Sequence, residues 1–454
     1  MDKNLKRSAL FVTSLASFLN PFMGSSINVV LPSIGKNFGL NAVLLSWVGF
    51  SFLLASSIFL VPFGRLADIY GRKKLFLIGT ILYGGSSFFC GISNSVSMLI
   101  FFRFLQGLGG ALFFGTSIAL LTSIYPAEER GKALGINASM VYLGLSLGPF
   151  LGGAIAQHLG WRALFVLNFF LTFLLAFITS INLKGEWADA KGENYDFFGA
   201  VLLIFSFLFM QIGLSFLNKK GYILLILFII FFYIFILYEK REKFPLFNLQ
   251  LFKNSLFLFS NISAFLNYSS TFSCSFILSL YLQYLKGLPP FKAGIILFIQ
   301  PLIMAVSSPF IGKLSDKLEP RALSSFGMLL NFFSLLFLYN LNLNTKIYYI
   351  YLILILLGIG NGFFASPNTN AIMGSVEKKF YGIATGTLST MRSIGMSTSI
   401  SITTLILGIF LKNESIVEKN FNLFISSIKT FSIIFSIFLF IGIFTSYSRG
   451  KMHS

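Results

Sequence analysis

Fourteen apolar stretches, each close to the roughly 20 residues that a bilayer demands of a crossing helix, constrain this chain more than anything else in it. They run Ala9–Leu31, Val43–Phe63, Leu75–Ile92, Met98–Thr122, Ala133–Ala156, Ala163–Ile181, Phe197–Phe216 and Tyr222–Tyr238. Leu256–Leu285, Ala293–Ile311, Leu323–Leu341, Tyr348–Met373, Ile383–Phe410 and Leu423–Tyr447 follow. In lipid every backbone N–H and C=O must be satisfied within such a segment, so the fold class is an all-α membrane protein. Only 11% of residues are charged, against about a quarter in a soluble domain. The first run is too long and wrongly flanked for a cleaved signal peptide, and it reads as a retained helix.

A formal charge of +19 raises the question of nucleic acid, but the basic residues are strung over many short loops. With the N-terminus inside, the cytoplasmic segments hold 22 Lys and Arg and the outer ones hold 10. That bias predicts a multi-pass protein of the cytoplasmic membrane, both termini cytoplasmic, with the lipid bilayer and not nucleic acid as its surroundings. Cys90 and Cys274 lie in apolar runs, and His158 and His453 stand alone. Neither a disulfide framework nor a metal site is implied, and no cofactor is expected.

The chain repeats itself. Gly64-Arg65-Leu66-Ala67-Asp68 returns as Gly312-Lys313-Leu314-Ser315-Asp316, and Gly110-x-x-Phe113-Phe114 as Gly360-x-x-Phe363-Phe364. Gly131-x-Ala133-x-Gly135 returns as Gly382-x-Ala384-x-Gly386, and Gly144 as Gly395, all at spacings of 248 to 251 residues. Slowly drifting offsets are what two related halves give. The reading is a six-helix bundle over 1–183, two additional transmembrane helices with linkers over 184–252, and a second six-helix bundle over 253–454. Parallel repeats of this kind place a solute site at their interface, near the bilayer midplane.

Gly144, Gly148 and Gly152 recur every fourth residue in GLSLGPFLGG, with Gly153 adjoining, so a helix there has one face bare of side chains. Pro149 withholds an N–H from the carbonyl of Leu145, which predicts a bend at a fixed point. The ridge reads either as a tight packing face or as a seam on which two bodies press together and rock.

These residues resemble the major facilitator superfamily. Gly64 to Lys74, GRLADIYGRKK, is similar to its signature between the second and third helices. Arg103-x-x-Gln106-Gly107 resembles a fourth-helix motif, and the Gly148-Pro149 stretch resembles the fifth-helix motif of its drug:proton antiporters. The two extra central helices, Asn28-Val29-Val30-Leu31-Pro32 and Thr390-Met391-Arg392-Ser393-Ile394-Gly395 are similar to the fourteen-helix branch. The resemblance implies the major facilitator fold, with two six-helix bundles and two extra helices. It also implies a latch in which Gly64, Asp68, Gly71 and Arg72 hold one face shut against the helix starting near Gly382. Asp316 would be the weaker counterpart. Ile69 stands where the family has a basic residue, which thins that charge network.

Members of the branch carry an aspartate five residues before the Asn28 position, and Met23 occupies it here. None of the fifteen acidic residues falls in the middle of an apolar run. Arg103 and Arg392 do, at a cost of about 2.5–3.5 kcal/mol on insertion scales unless each faces a cavity or finds partners. Arg103 reads as structural or as part of gating, and Arg392 as either a solute ligand or a tie between helices. The candidates for coupling or for lining a cavity are Asn20, Met23, Asn28, Arg103, Gln106, Gln300, Asn361 and Arg392, although most amides in membrane helices simply hold helices together.

The expectation is a secondary active transporter and not an enzyme. It would export amphipathic small molecules by alternating access, driven by the proton gradient, and work as a monomer. An exporter or facilitator of an anionic or neutral metabolite or lipid, without carboxylate coupling, is the alternative that arginine without a carboxylate favours. A non-transporting sensor or assembly protein is the third reading. No Gly-Lys is followed by Ser or Thr, so the phosphate-cradling loop of an ATP-driven pump is excluded.

Overall fold

The computed structural model describes residues 3–217, 220–377, 380–412 and 414–450. Lys219, Lys378, Lys379, Lys451 and His453 lie outside them. Each of the fourteen apolar runs forms a helix, and no strand occurs among the described residues. The first body holds α1 (Lys3–Phe38), α2 (Ala42–Tyr70), α3 (Arg72–Gly91), α4 (Val96–Ile124), α5 (Ala127–His158) and α6 (Trp161–Asn182). A hairpin of α7 (Phe197–Ser215) and α8 (Gly221–Glu239) follows. The second body holds α9 (Ser255–Leu280), α10 (Pro290–Ser315), α11 (Pro320–Tyr339), α12 (Ile347–Gly374), α13 (Tyr381–Phe410) and α14 (Phe421–Ser448). The start of α1 and the end of α14 mark one face of the molecule, here the termini face; the opposite one is the far face.

Thirteen of the helices are long and apolar enough to cross a membrane by themselves. The exception is α9, whose serines and asparagines are buried among its neighbours instead of facing lipid. The signature expected as a loop is mostly helix. α2 runs on through Gly64 and Asp68 to Tyr70, α3 begins at Arg72, and the whole turn is Gly71 at φ +116°. A one-residue turn of that shape is open to glycine and strained for other residues.

The repeat is visible in how the helices cross. Where α3 meets α4, a Cβ on Gly109 would lie 2.5 Å from the backbone nitrogen of Tyr83 and 2.8 Å from the Gly79 carbonyl oxygen. Where α11 meets α12, a Cβ on Gly327 would lie 2.5 Å from the Gly360 carbonyl oxygen, and one on Gly360 2.8 Å from that of Gly327. Gly107 packs on the Phe52 carbonyl as Gly358 packs on that of Gln300, and Gly144 on Phe18 as Gly395 on Phe265. In lipid, helix pairs gain from close packing what they cannot gain from hydrophobic exclusion, so backbone approach at glycine is the fold's main cement. Gly109→Ala and Gly360→Ala should each lower the unfolding midpoint in detergent, at a cost of about 1–3 kcal/mol from overpacking against backbone. A midpoint within error of the parent for both would contradict that account.

The glycine ridge of α5 packs inside the first body. Gly144, Gly148 and Gly152 face Phe18, Ser25 and Ser26 of α1, where Ser26 Oγ donates to the Gly148 carbonyl at 2.9 Å. Packing on the second body belongs to the next stripe round the helix. There a Cβ on Gly153 would lie 2.6 Å from the Pro290 carbonyl oxygen, and one on Gly294 would overlap the Pro149 carbonyl. Of the two readings of the ridge, Gly144, Gly148 and Gly152 form the tight packing face, on α1, while Pro149 and Gly153 meet α10 of the second body about 100° round the same helix.

Candidate functional site

The bodies meet in the far half of the molecule. Besides the packing of α5 on α10, Gln283 Nε2 donates to the Val29 carbonyl at 2.8 Å and Thr404 Oγ1 to Ser46 Oγ at 2.9 Å. The backbone N–H of Ala42 reaches the Glu414 carbonyl, and that of Phe291 reaches Gln157. Toward the termini face the same helices diverge: a Cβ on Gly131, Gly135, Gly382 or Gly386 would have no heavy atom of the described residues within 4 Å. The molecule is sealed on the far side and parted on the termini side.

Arg392 lies in α13, six residues beyond Gly386. Its Nη2 donates to Thr369 Oγ1 of α12 at 2.9 Å, and its guanidinium lies 5.4 Å from the ring centre of Tyr268 on α9. The buried Nε has no hydrogen-bond partner, and no ion pair holds Arg392 among the described residues. Tyr142 comes from the other body, on the same stripe of α5 as Gly131 and Gly135. The electrostatic influence of Tyr268 and Arg392, both in the second body, reaches its phenol. A cation with donor capacity to spare beside the ring of Tyr268 can hold an anionic or acceptor-rich group on a flat solute.

Arg103 is a separate feature. It is 1% exposed, donates through Nε to the Val48 carbonyl at 3.1 Å and through Nη1 to Gln106 Oε1 at 2.6 Å, and lies 4.5 Å from the Phe52 ring centre. Nη2 of Arg103 and Nε2 of Gln106 have no partner. A small pocket toward the far face is lined by Arg103, Asn28 and Ser46 from the first body and Phe272, Phe276 and Ile400 from the second. So Asn28, Arg103 and Gln106 belong together, apart from Arg392. Met23 is fully buried in the apolar core. Asn20 points its amide oxygen at the Gly110 backbone without a partner. Gln300 accepts from Ser275 at 3.1 Å. Asn361 accepts from Asn267 and Asn331 at 3.1 and 3.3 Å in a buried triad of amides that joins α9, α11 and α12. Triads of this kind hold helices together.

Sequence reasoning missed two clusters. One is Arg449 at the end of α14, 1% exposed, which donates to Asn368 Oδ1 at 2.8 Å, Ser324 Oγ at 3.1 Å and Ser260 Oγ at 3.3 Å. An arginine one residue past a helix looks like a loop cation, and only the assembled body supplies its acceptors.

The other cluster surrounds the signature. Arg72 Nε donates to Asp68 Oδ1 at 2.8 Å, and Nη1 reaches Ser123 and, at 2.6 Å, Asp189 of the linker before α7. Glu186 accepts from the backbone N–H groups of Lys73 and Lys74 at 2.7 and 3.0 Å, where a carboxylate suits the positive start of α3. Arg65 pairs with Glu193. The Arg72 N–H donates to the Trp187 carbonyl at 2.8 Å, and the Ala190 N–H to that of Asp68 at 3.0 Å. Tyr195 Oη then donates to the Pro62 carbonyl, and Asp196 caps α7 at Gly199. Burial pushes the Tyr195 phenol up to about 12, with Asp196 beside it adding to the rise. Asp68 and Arg72 are thus engaged with each other, α4 and the linker, and no hydrogen bond or ion pair joins them to α13 among the described residues. In the second body Asp316 accepts from Asn370 at 3.3 Å, and Pro320 stands where the repeat would place an arginine.

The sequence model of the Major Facilitator Superfamily matches residues 13–400. The riboflavin transporter RibZ of Clostridioides difficile is 30% identical over 391 residues, 86% of this chain and 85% of that protein. Multidrug resistance protein 3 of Bacillus subtilis is 30% identical across 79% of this chain and 71% of its own length. Among solved structures, a bacterial homolog of the lysosomal transporter Spinster, inward-facing and unoccupied, aligns over 99% of this chain and 98% of its own with a TM-score of 0.71 at 18% identity. A peptide transporter in complex with alafosfalin aligns over 95% and 93% with a TM-score of 0.71 at 15% identity, which speaks for the fold alone.

Proposed function

Since this chain belongs to the major facilitator superfamily and is a multi-pass membrane transporter of that fold, we propose that it exports amphipathic small molecules by alternating access. The observation that carries the reading is the pair of bodies sealed together at Gly153–Pro290 and Gly294–Pro149 on the far side and parted toward the termini face. The termini face is the cytoplasmic one in this reading, on the strength of the Lys and Arg bias, and the protein works as a monomer in the cytoplasmic membrane without a bound cofactor. The proton gradient drives it. Asp68 and Arg72 act as the latch when the termini face closes, as the family resemblance implies, and the Arg103–Gln106 pair takes part in coupling.

A second reading is favoured by Arg392, which has no ion pair among the described residues: the cargo is a flat metabolite carrying an anionic or acceptor-rich group. The riboflavin transporter among the relatives supports this alternative. Uptake into inverted vesicles, across a panel of amphiphiles and with or without a pH gradient, tests both. Accumulation that collapses with the gradient is expected. Passive equilibration without accumulation would make the protein a facilitator, and no flux with any member of the panel would remove transport of these solutes.

A further inference from the structure

The segment Glu186–Tyr195 is fastened to one body while the helix it leads into is fastened to the other. On the first body it is held by Glu186 at the start of α3, Asp189 on Arg72, Glu193 on Arg65 and Tyr195 on Pro62. Only Asp196 then separates it from α7. In its second half, α7 grips α13: Gln211 Nε2 donates to Thr398 Oγ1 at 3.0 Å, and Ser215 Oγ lies 2.8 Å from Ser401 Oγ. These bonds are buried between the two helices. When the bodies tilt, both fastenings cannot stay as they are.

The weaker one is plain from its surroundings. Breaking the α7–α13 bonds would strand amide and hydroxyl groups where no water can replace their partners. The strap's carboxylates reach solvent, with the side chains of Asp189 68% and Glu193 34% exposed, so water can replace their partners when the pairs break. We infer that Asp189, with Glu186 and Glu193, is a positioning residue for the transport cycle: the strap occupies Arg72 and the Asp68 carbonyl while the termini face is open, and must peel away for that face to close. It acts as a competitor for the latch. This rests on the alternating-access reading, since two states are needed for a competition.

The test reads conformation directly and requires neither cargo nor gradient. In a chain whose buried Cys90 and Cys274 are replaced by serine, one cysteine is placed at Gly135 or Gly386 and its maleimide labelling rate is measured in membranes. Asp189→Asn should slow labelling by about two- to five-fold as the open state loses population. Asp189→Glu should restore the parent rate. Salt should slow the parent toward the Asp189→Asn rate and slow that variant less, because screening weakens every charge pair of the strap and the variant has one fewer. Glu193→Gln provides an independent variant, expected to move the same way. Unchanged labelling in both Asp189→Asn and Glu193→Gln, or an Asp189→Glu rate as slow as that of Asp189→Asn, overturns the proposal. Failure of the export reading would show separately, as absent flux with the labelling differences intact.

Discussion

Gly294→Val should stop transport in a protein that still folds. At this point of α10 any side chain would overlap the carbonyl of Pro149, and backbone inside a helix cannot swing aside as a flexible side chain can. Inserting bulk into such a close approach typically costs about 1–3 kcal/mol, which is roughly a 5- to 150-fold change in an equilibrium between two states. The added side chain wedges the far-side seal apart, so the population moves toward the state with the termini face closed. Transport needs both states, and a fall of about ten-fold or more in initial rate is expected, with slower labelling of a cysteine at Gly386. Gly85→Ala serves as the control, because a Cβ there has nothing within 4 Å. Parent-like flux from Gly294→Val would mean that the packing of α5 on α10 is not a gate.

Arg392→Ala should divide the cargo by charge. Hydrogen bonds to a charged group are worth about 1.5–3 kcal/mol net, so removing the guanidinium should reduce transport of an anionic amphiphile by about 10- to 150-fold. A matched cationic amphiphile should lose nothing and can gain, since the repelling charge is gone. Arg392→Lys should recover only part of the anionic rate, because a compact ammonium cannot donate to Thr369 and to a solute in the same plane. Equal losses for both cargoes would assign Arg392 to holding α12 against α13, with no part in recognition.

The fold was legible from the sequence because lipid reduces the choices: length and apolarity fix the helices, and repeated glycine motifs fix the duplication. What the glycines touch was not legible. GLSLGPFLGG announces a smooth helix, yet only the assembled structure separates the stripe used by α1 from the stripe used by α10. The Gly64–Lys74 signature was readable as a motif, and its placement as helix, one-residue turn and helix follows from the positive φ of Gly71. Arg392 was singled out by its cost in lipid, and its neighbour Tyr268 comes from a helix more than a hundred residues away in the chain. Glu186, Asp189 and Glu193 carried no signal, because acids in a short polar linker look alike whether solvated or fastened to a neighbour.

The buried polarity of α9 has a consequence for how the protein is made. A segment this rich in hydroxyl and amide groups gains little by entering lipid alone, and its partners Asn331 and Asn361 emerge from the ribosome only later. The expected order is that α9 settles in the second body only once α11 and α12 have arrived to meet its amides. Biogenesis of this half is thereby a matter of groups of helices and not of helices one at a time.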